Sequence, residues 1–298
     1  MRACALAVLL GPAVALAQSM EPRAYANAPV GLNFLIAGYA YSTGGVAFDP
    51  SVPLENGRAR VHAFPLAYVR SLDVFGNAGS IGLVLPVAQL SGSATLNGVE
   101  AAREISGIAD PAIRLTVNFY GAPAMNLEQF RAYRQDLIVG ASLTATAPLG
   151  QYDPNRVANL GTNRWSAKPE LGLSQALGPW TVELSAGATY FTKNDDFLQG
   201  NVREQDPLYS AQLHLTRQLG RGMWGALSTT YYEGGRSRLN GVARDDAQSG
   251  SRVGLTVSFP LARQYTLKLY ANTGLYARTG TDFDTVGIAW QYLWGGGL

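Results

Sequence analysis

Large residues occupy every second position near the end of the chain, in residues 284–294, and this alternation constrains the fold more than any other feature. They are Val286, Ile288, Trp290, Tyr292 and Trp294. A period of two places them on one face of a β-strand. Trp and Tyr concentrate at membrane–water boundaries. We therefore predict a final strand of an outer-membrane β-barrel, with its aromatic face towards lipid.

Similar alternation recurs along the chain and predicts about twelve strands, each long enough to cross a bilayer at a tilt. The predicted strands are residues 32–42, 60–73, 80–90, 109–120, 136–148, 164–177, 180–192, 208–219, 223–233, 251–261, 265–276 and 284–293. Between Trp180 and Tyr190 the apolar face spans about 25 Å of membrane normal, at a rise of about 3.3 Å per residue and a tilt of about 40°. Its two aromatic ends therefore match the two interfacial girdles of such a barrel.

The connections between these strands alternate between short and long. The short turns are 76–79, 178–179, 220–222 and 262–264, and the long polar loops are 43–59, 91–108, 149–163, 193–207 and 234–250. Short periplasmic turns and long outer loops are typical of bacterial barrels. The fold class is therefore predicted to be all-β: a transmembrane antiparallel up-and-down β-barrel with both termini periplasmic. Residues 121–135 break this rhythm, since they should be a short turn but are long, with helix-like spacing of apolar residues.

Composition agrees with a membrane barrel and argues against a nucleic-acid-binding protein. Charged residues make up 15% of the chain, against about 25% in ordinary soluble domains. The formal net charge is only +2, so there is no basic footprint for nucleic acid.

The first residues have the pattern of a secretory signal peptide. Arg2 precedes an apolar run, residues 3–16, and a small-residue site ends at Ala17. A transmembrane anchor is the alternative, but this run is short for a hydrocarbon core of about 30 Å. We predict cleavage after Ala17, which leaves residues 18–298 as one barrel domain that starts with a polar lead-in to Pro29. Cys4 would be removed, so the mature chain would contain no cysteine.

One central block resembles a known family. Its pieces are Pro148-Leu149-Gly150-Gln151-Tyr152-Asp153, Asn159-Leu160-Gly161-Thr162-Asn163-Arg164-Trp165 and Lys168-Pro169-Glu170-Leu171-Gly172. They resemble the central signature of the "MetA-pathway of phenol degradation" family of outer-membrane barrels. The resemblance implies insertion into the outer membrane and passage of hydrophobic or aromatic compounds.

The motif also has a physical interpretation that does not depend on the family. Pro148 limits strand extension, and glycines such as Gly150 and Gly161 permit positive φ. Arg164 or Lys168 can pair with Asp153 or Glu170. We favour a role in ordering the loop over direct contact with a ligand for the motif residues Pro148, Gly150, Tyr152, Asn159, Gly161, Asn163, Arg164 and Trp165.

The chain end carries a second resemblance. Thr285-Val286-Gly287 with Trp290 and Tyr292 is similar to the C-terminal recognition signature of outer-membrane proteins. This similarity implies that the barrel-assembly machinery is a partner. The chain departs from the usual pattern because it continues through Gly295 to Leu298 instead of stopping at an aromatic residue.

Charged and polar residues on the inward faces of the strands form the candidate lumen. A cation facing lipid at the midplane would cost about 2–4 kcal/mol, so these side chains should point inward. They are Arg114, Asn118, Tyr120, Lys168, Glu170, Glu183, Gln212, His214, Arg252, Lys268 and Tyr270. Two interpretations stay open: ion pairs that brace a filled barrel, and a lining for a narrow solute path. We favour a restricted path for a small organic solute.

An enzymatic barrel, such as a lipid hydrolase, is the main alternative. The chain has only two histidines, His62 and His214. Ser210 is four residues from His214, about 13 Å along a strand, whereas Ser185 on the predicted neighbouring strand could be closer. No G-x-S-x-G motif occurs. We therefore predict no catalytic residues, and a structural or adhesive barrel is a third possibility.

Sequence motifs for metal or cofactor binding are similarly lacking, so we predict neither a bound metal nor a cofactor. The acidic pairs Asp195-Asp196 and Asp245-Asp246 lack the ligand spacing of a calcium loop. In an outer membrane such loop acids could bridge divalent ions bound by lipopolysaccharide. The predicted partners are therefore outer-membrane lipid and lipopolysaccharide, the assembly machinery and a small solute.

Overall fold

The computed structural model describes residues 20–47, 54–96, 99–156, 158–278 and 280–298. The predicted signal peptide and its cleavage site at Ala17 lie outside these residues. The described chain forms a closed antiparallel β-barrel of twelve strands. The predicted fold class and strand number are therefore confirmed.

The barrel strands follow one another around the wall in chain order. They are β1 (Leu32–Ala47), β2 (Leu54–Val74), β3 (Asn77–Leu96), β4 (Val99–Ile108) with β5 (Ala112–Tyr120), β6 (Leu137–Thr146), β7 (Ser166–Leu177), β8 (Trp180–Phe191), β11 (Leu208–Gly220), β12 (Met223–Gly234), β15 (Gln248–Pro260), β16 (Tyr265–Ala277) and β18 (Asp284–Gly295). β4 and β5 together make one barrel strand, because β3 pairs with β4 over its second half and with β5 over its first half.

The first and last strands close the barrel. β1 pairs with β18 from Leu32 opposite Gly295 to Thr43 opposite Asp284, and its other edge pairs with β2. The predicted aromatic face of β18 lies beside other rings at one rim, where the Trp290 and Tyr292 rings stack at 6.2 Å. This pairing joins the two end strands of the sheet, so that neither presents an unpaired edge to hydrocarbon over the residues paired here, as a membrane requires.

Outward side chains are apolar along the strands. In β8, Leu184 and Tyr190 are exposed on the outside, while Glu183 and Ser185 are buried inside. An exposed apolar band of this extent is unfavourable in water but favourable against lipid. The alternation therefore assigns the outer face to lipid and the inner face to the lumen.

The two ends of the barrel differ. Short turns and both ends of the barrel domain lie at one end, which we call the turn rim, and the long connections lie at the other, the loop rim. At the turn rim Phe75 and Gly76 join β2 to β3 with φ of 52° and 84°, values that suit a tight turn between strands of right-handed twist. The prediction that this rim faces the periplasm remains a prediction.

Two predicted loops are largely strand. Residues 91–108 form the second half of β3 and β4, which pair from Val87 opposite Ile108 to Leu96 opposite Val99. Much of 43–59 likewise belongs to β1 and β2. The prediction was wrong because these segments extend past the apolar band, where neither face needs large apolar residues and the period-two pattern fades.

The long connection 121–135 contains a helix at the turn rim. α1 (Leu127–Ala132) begins with a capping box in which Asn126 accepts from the Gln129 amide at 2.9 Å. No residue of α1 is buried, so the helix does not plug the lumen. No helix in the described ranges is long and apolar enough to cross a membrane.

Two loops at the loop rim are joined by a small sheet of their own. Its strands are β9 (Asn194–Phe197), β10 (Asn201–Gln205), β13 (Ser237–Leu239) and β14 (Val242–Ala243), in the order β14-β13-β10-β9. We call it the loop sheet. A further short strand, β17 (Gly280–Thr281), pairs with the end of β1. The loop sheet ties the β8–β11 and β12–β15 connections together above the barrel.

A matched pair of substitutions tests the assignment of the outer face. Leu255, near the middle of β15, is 61% exposed, and Val242, in the loop sheet, is 65% exposed. We expect Leu255→Arg to lower the free energy of unfolding in lipid vesicles by about 2–4 kcal/mol, because the cation enters hydrocarbon. Val242→Arg should change it by less than about 0.5 kcal/mol. Equal effects of the two substitutions would contradict the assignment.

Candidate functional site in the barrel lumen

Polar side chains line the inside of the barrel. Buried examples from seven strands are Thr116, Asn118, Ser142, Glu170, Ser174, Glu183, Ser185, Gln212, His214, Thr216, Ser228, Thr230, Arg252 and Ser258. Buried polar groups need hydrogen-bond partners, and the chain ahead of β1 supplies one each to Asn118, Ser142, Glu170 and Glu183.

Residues 20–30 lie inside the lumen and contact its wall. The Tyr25 hydroxyl donates to Glu170 Oε1 at 3.0 Å, and the Asn118 amide donates to the Tyr25 carbonyl at 3.1 Å. The Arg23 amide donates to Glu183. Tyr25 itself is only 2% exposed. This stretch, which we call the N-terminal segment, therefore occupies the middle of the barrel.

Two glycines on adjacent strands make room for the Tyr25 ring. Gly140 on β6 pairs directly with Gly172 on β7. A Cβ added at Gly172 would lie 2.1 Å from Tyr25 Cε2, and one at Gly140 would lie 2.8 Å from Tyr25 Cδ1. Both distances are too short for non-bonded carbon atoms. The ring therefore packs directly on the backbone of the wall, in a position that only glycine permits.

Glu170 is the centre of the charged network around this ring. Its carboxylate contacts Arg114 at 3.0 Å and Lys168 at 2.8 Å, and it also accepts from Tyr25. The side chain is 7% exposed. The predicted Lys168–Glu170 pair is present, and two cations and a hydroxyl together satisfy one buried carboxylate.

His214 bonds to a serine, but not to either serine considered from the sequence. Its Nδ1 lies 2.8 Å from Ser228 Oγ, directly across from it on β12. Ser185 pairs with Gln212 instead. His214 is 4% and Ser228 2% exposed. Within the described ranges no carboxylate bonds the histidine's other nitrogen, so the pair lacks the third group of a triad.

Most of the remaining predicted lumen residues lie on the inner wall. Arg252 donates to Asn272 and to the Phe283 carbonyl. The Lys268 ammonium lies 5.8 Å from the centre of the Trp224 ring. Tyr270 lies over Gly287, where an added Cβ would be 2.2 Å from Tyr270 Cζ.

Tyr120 is different, because the ladder to β6 shifts register between Val117 and Tyr120. Its side chain is 61% exposed, and it does not line the cavity described below. The sequence pattern placed it inside because strict alternation was assumed up to the strand end. The structure gives Tyr120 no place on the wall of that cavity.

A cavity of about 130 Å³ remains between the N-terminal segment and the wall. Tyr25, Arg114, Lys168, Glu170, Glu183 and Gln212 are among its lining residues. Pockets for drug-sized ligands measure about 300–1,000 Å³, so this space suits water and very small solutes. The lumen is polar and narrow with the N-terminal segment in place.

The motif loop 149–163 is held by an aspartate that the sequence analysis did not single out. Asp110, in the break between β4 and β5, accepts from the Gly150 amide at 2.8 Å and from the Thr162 amide at 2.8 Å. Leu160 is 1% exposed and packs on the side chains of Ala88 and Ile105. An Asp-Pro pair between two alternating runs was the available sign of this break.

The other motif residues mostly bond within the loops. Asn159 accepts from the Asp153 amide, and the Gly161 amide donates to the Gln151 carbonyl, both at 2.9 Å. Tyr152 and Asn163 each bond to Asn194, also at 2.9 Å. Pro148 follows the end of β6.

Two motif residues behave differently from the rest. Trp165 is 54% exposed. Arg164 is buried and forms no ion pair with Asp153 or Glu170. Asp153 pairs with Arg156 instead, and Glu170 pairs with Arg114 and Lys168. Apart from Arg164, these contacts agree with a loop-ordering role.

A metal site is not evident in the part of the chain that the structure describes. It contains no group of three or more His, Cys, Asp or Glu side chains that could hold an ion. The acidic loop pairs are instead involved in loop contacts, as in Asp246, which accepts from the Ser237 amide at 2.8 Å.

Comparison with known proteins identifies both a family and a fold. The family profile described as "Putative MetA-pathway of phenol degradation" matches residues 42–290. An outer membrane channel from Pseudomonas putida F1 has a TM-score of 0.80 at 22% identity and covers 93% of this chain and 100% of its own. The transport unit of the autotransporter AIDA-I from Escherichia coli has a TM-score of 0.51 at 8% identity, covering 94% and 96%. No curated protein matches the chain.

The fit of Tyr25 against glycine gives a testable prediction. Gly172→Ala should displace the N-terminal segment, because overpacking against the Tyr25 ring costs about 1–3 kcal/mol. That cost shifts the equilibrium between the seated and the displaced segment about tenfold. A cysteine introduced at Ala24 would report this as faster reaction with a water-soluble maleimide.

Gly225→Ala is the matched control. A Cβ there meets its nearest neighbour at 3.7 Å, an ordinary contact, so the labelling rate should not change. If both variants label at the parental rate, the Tyr25 ring is not held by the glycine pair.

Proposed function

The chain belongs to the family described as "Putative MetA-pathway of phenol degradation", and from this premise we propose that it is an outer-membrane channel for the passive passage of small organic compounds. The observation that carries the proposal is a closed barrel with an apolar outer face and a polar, charged lumen. Charged side chains such as Glu183 and Glu170 border the cavity that is left inside the barrel. Polar walls around a small cavity suit a restricted solute path.

The solute class proposed is hydrophobic or aromatic compounds. Its support is the family description, which names phenol degradation. Small phenols combine an apolar ring with a hydroxyl, and the lumen offers tyrosines and tryptophan beside charged groups, as at Trp224 and Lys268. A lumen of this mixed character can bind such a solute weakly enough to release it, which conduction requires.

The N-terminal segment is proposed to act as the gate. It occupies the middle of the lumen through Tyr25 and Arg23, so solutes larger than the remaining cavity require it to move. The contacts described for this segment are non-covalent: hydrogen bonds, the packing of the Tyr25 ring, and the Arg23 guanidinium over the Trp224 ring at 5.5 Å. Displacement of this segment is a smaller change than distortion of the hydrogen-bonded wall.

The orientation follows from the same proposal. If the turn rim faces the periplasm, the N-terminal segment enters the lumen from the side on which a signal peptide would be cleaved after Ala17. The terminal strand β18 would then be available to the barrel-assembly machinery, and the long loops would face lipopolysaccharide. Cell fractionation with surface proteolysis of the loop sheet would test this arrangement.

Replacement of residues 20–29 by a Gly/Ser sequence of equal length tests the channel and its gate together. Because the contacts of Tyr25 and Arg23 are lost, we expect planar-bilayer conductance to rise several-fold. Liposome swelling with small phenols should accelerate in parallel. The parent protein is the reference, and heat-modifiable migration in detergent gels shows that both are folded.

Two results of this experiment would contradict the proposals. A folded replacement variant that conducts no ions and admits neither phenols nor small sugars would exclude the channel. Equal passage of sugars and phenols would retain the channel but reject the proposed solute class.

A lipid hydrolase remains the second candidate because His214 and Ser228 are in hydrogen-bond contact. Both are buried in the lumen, away from the lipid-facing surface, and their pair lacks a third group. We expect neither the parent nor Ser228→Ala to release fatty acid from phospholipid vesicles. Hydrolysis by the parent that is abolished in Ser228→Ala would establish the enzyme instead.

A structural or adhesive barrel is the third candidate, and the loop sheet is the feature that would serve it. It would be favoured over the channel if the folded replacement variant passed no solute.

A further inference from the structure

Two arginines at the loop rim, one buried and one half-buried, form no ion pair among the residues that the structure describes. Arg164, between the motif loop and β7, is 4% exposed. Arg203, on β10 of the loop sheet, is half-buried. Neither makes an ion pair with any described residue, although Arg238 nearby in the same sheet pairs with Asp206 at 2.7 Å. Buried cations of this kind normally have a bound counter-charge.

Their hydrogen bonds are also incomplete. Arg164 donates through Nη2 to Gln205, but its Nε and Nη1 have no partner among the described protein atoms. The Nε of Arg203 is likewise buried and unpaired. An unpaired buried donor is costly, and a charged one more so. Three such donors in two neighbouring side chains point to a ligand.

The two arginines come together at one place, because Arg164 donates to Gln205, which is two residues from Arg203 on β10. Burial, and then the positive charge of Arg203, lower the pKa of Arg164 well below its ordinary value. Burial lowers the pKa of Arg203 to about 10. The charge of Asp110 opposes this lowering for Arg164, and that of Asp246 opposes it for Arg203. Both carboxylates already accept from other donors, Asp110 from Gly150 and Thr162 and Asp246 from Ser237. A shared anion would relieve the repulsion between the two cations.

The aromatic contacts restrict what kind of ligand fits. The Arg164 guanidinium lies 4.4 Å from the centre of the Phe191 ring, and that of Arg203 lies 5.7 Å from the centre of the Phe197 ring. An aromatic ring accepts no strong hydrogen bond, so the unpaired N–H groups of both side chains remain for a ligand. In-plane N–H donors match the oxygens of a carboxylate or phosphate.

We propose that Arg164 and Arg203 form a binding site for a small oxyanion, a carboxylate or a phosphate group, between the motif loop and the loop sheet. The half-buried Arg203 provides the approach, and Arg164 provides the enclosed donors. The site lies outside the lumen cavity, and it goes beyond the proposed channel function because binding does not require that the barrel conducts. It also accounts for the one motif arginine that loop ordering leaves with unpaired donors.

Isothermal titration calorimetry of the full barrel domain in detergent tests the site with benzoate and inorganic phosphate as probes. Benzyl alcohol is the neutral control of similar shape to benzoate. We expect at least one oxyanion to bind and benzyl alcohol not to bind. Arg203→Gln and Arg164→Gln should each weaken binding by about tenfold or more, because each removes charge-assisted hydrogen bonds.

Arg238→Gln is the matched control variant. It removes a positive charge from the same loop sheet, but from an arginine that already has Asp206 as its partner, so the affinity should be unchanged. Arg164→Gln could disturb the fold, and Arg203→Gln, which is less buried, keeps the test decisive. No binding of either oxyanion to the parent, or equal affinity in the parent and both Gln variants, would overturn the site.

A second arm separates a free solute from a lipid headgroup. Titration of phosphate is repeated with the protein in nanodiscs with and without lipopolysaccharide. Weaker apparent phosphate binding in the presence of lipopolysaccharide, abolished in Arg203→Gln, would identify a headgroup phosphate as the occupant. Unchanged phosphate affinity would identify a free oxyanion.

Discussion

Every backbone N–H and C=O group inside a bilayer must find its partner within the protein, because hydrocarbon offers none. In this chain the ladder between β1 and β18 satisfies the final pair of strand edges, through twelve register pairs from Leu32 opposite Gly295 to Thr43 opposite Asp284. An even number of strands follows from it, since only then can the first and last strands lie antiparallel side by side. Both ends of the barrel domain are consequently at the turn rim, where the N-terminal segment can enter the lumen directly from β1.

Closure creates an interior whose polar groups need hydrogen-bond partners of their own. Outward side chains are apolar, so the polar residues of each strand converge inside, and twelve strands leave more space than side chains such as Glu170 and Arg114 fill. The N-terminal segment occupies part of that space with backbone groups and the Tyr25 ring. The paired glycines Gly140 and Gly172 accept the ring by reducing the wall to bare backbone. The lumen is therefore narrowed by a segment that the wall accommodates.

Period-two alternation predicts strands correctly where one face of the strand meets lipid. The positions of β7, β8, β11, β12, β15, β16 and β18 and the inward placement of Glu183 and His214 could be predicted from it. Past the apolar band the same logic failed: β3 and β4 continue where both faces are polar, and a register shift before Tyr120 ended the alternation early. Nothing in the composition of the N-terminal segment indicates what it packs against, so the sequence predicts only a polar lead-in. That information is divided between Tyr25 and two glycines more than a hundred residues away, which no local pattern connects.

The fold is shared with an outer membrane channel at only 22% sequence identity. The low identity has a physical reason in what each position of a barrel wall requires. A lipid-facing position needs only an apolar residue and a lumen position only a polar one, so most of the wall is free to vary. The motif loop is not free in this way. Gly150 must come so close to Asp110 that an added Cβ would be 2.7 Å from the Asp110 amide nitrogen, and Thr162 must supply two donors to one carboxylate. Because these contacts depend on particular atoms, the recognisable part of the sequence lies in the loop that orders the barrel mouth and brings Arg164 into it. The part that crosses the membrane is specified by pattern alone.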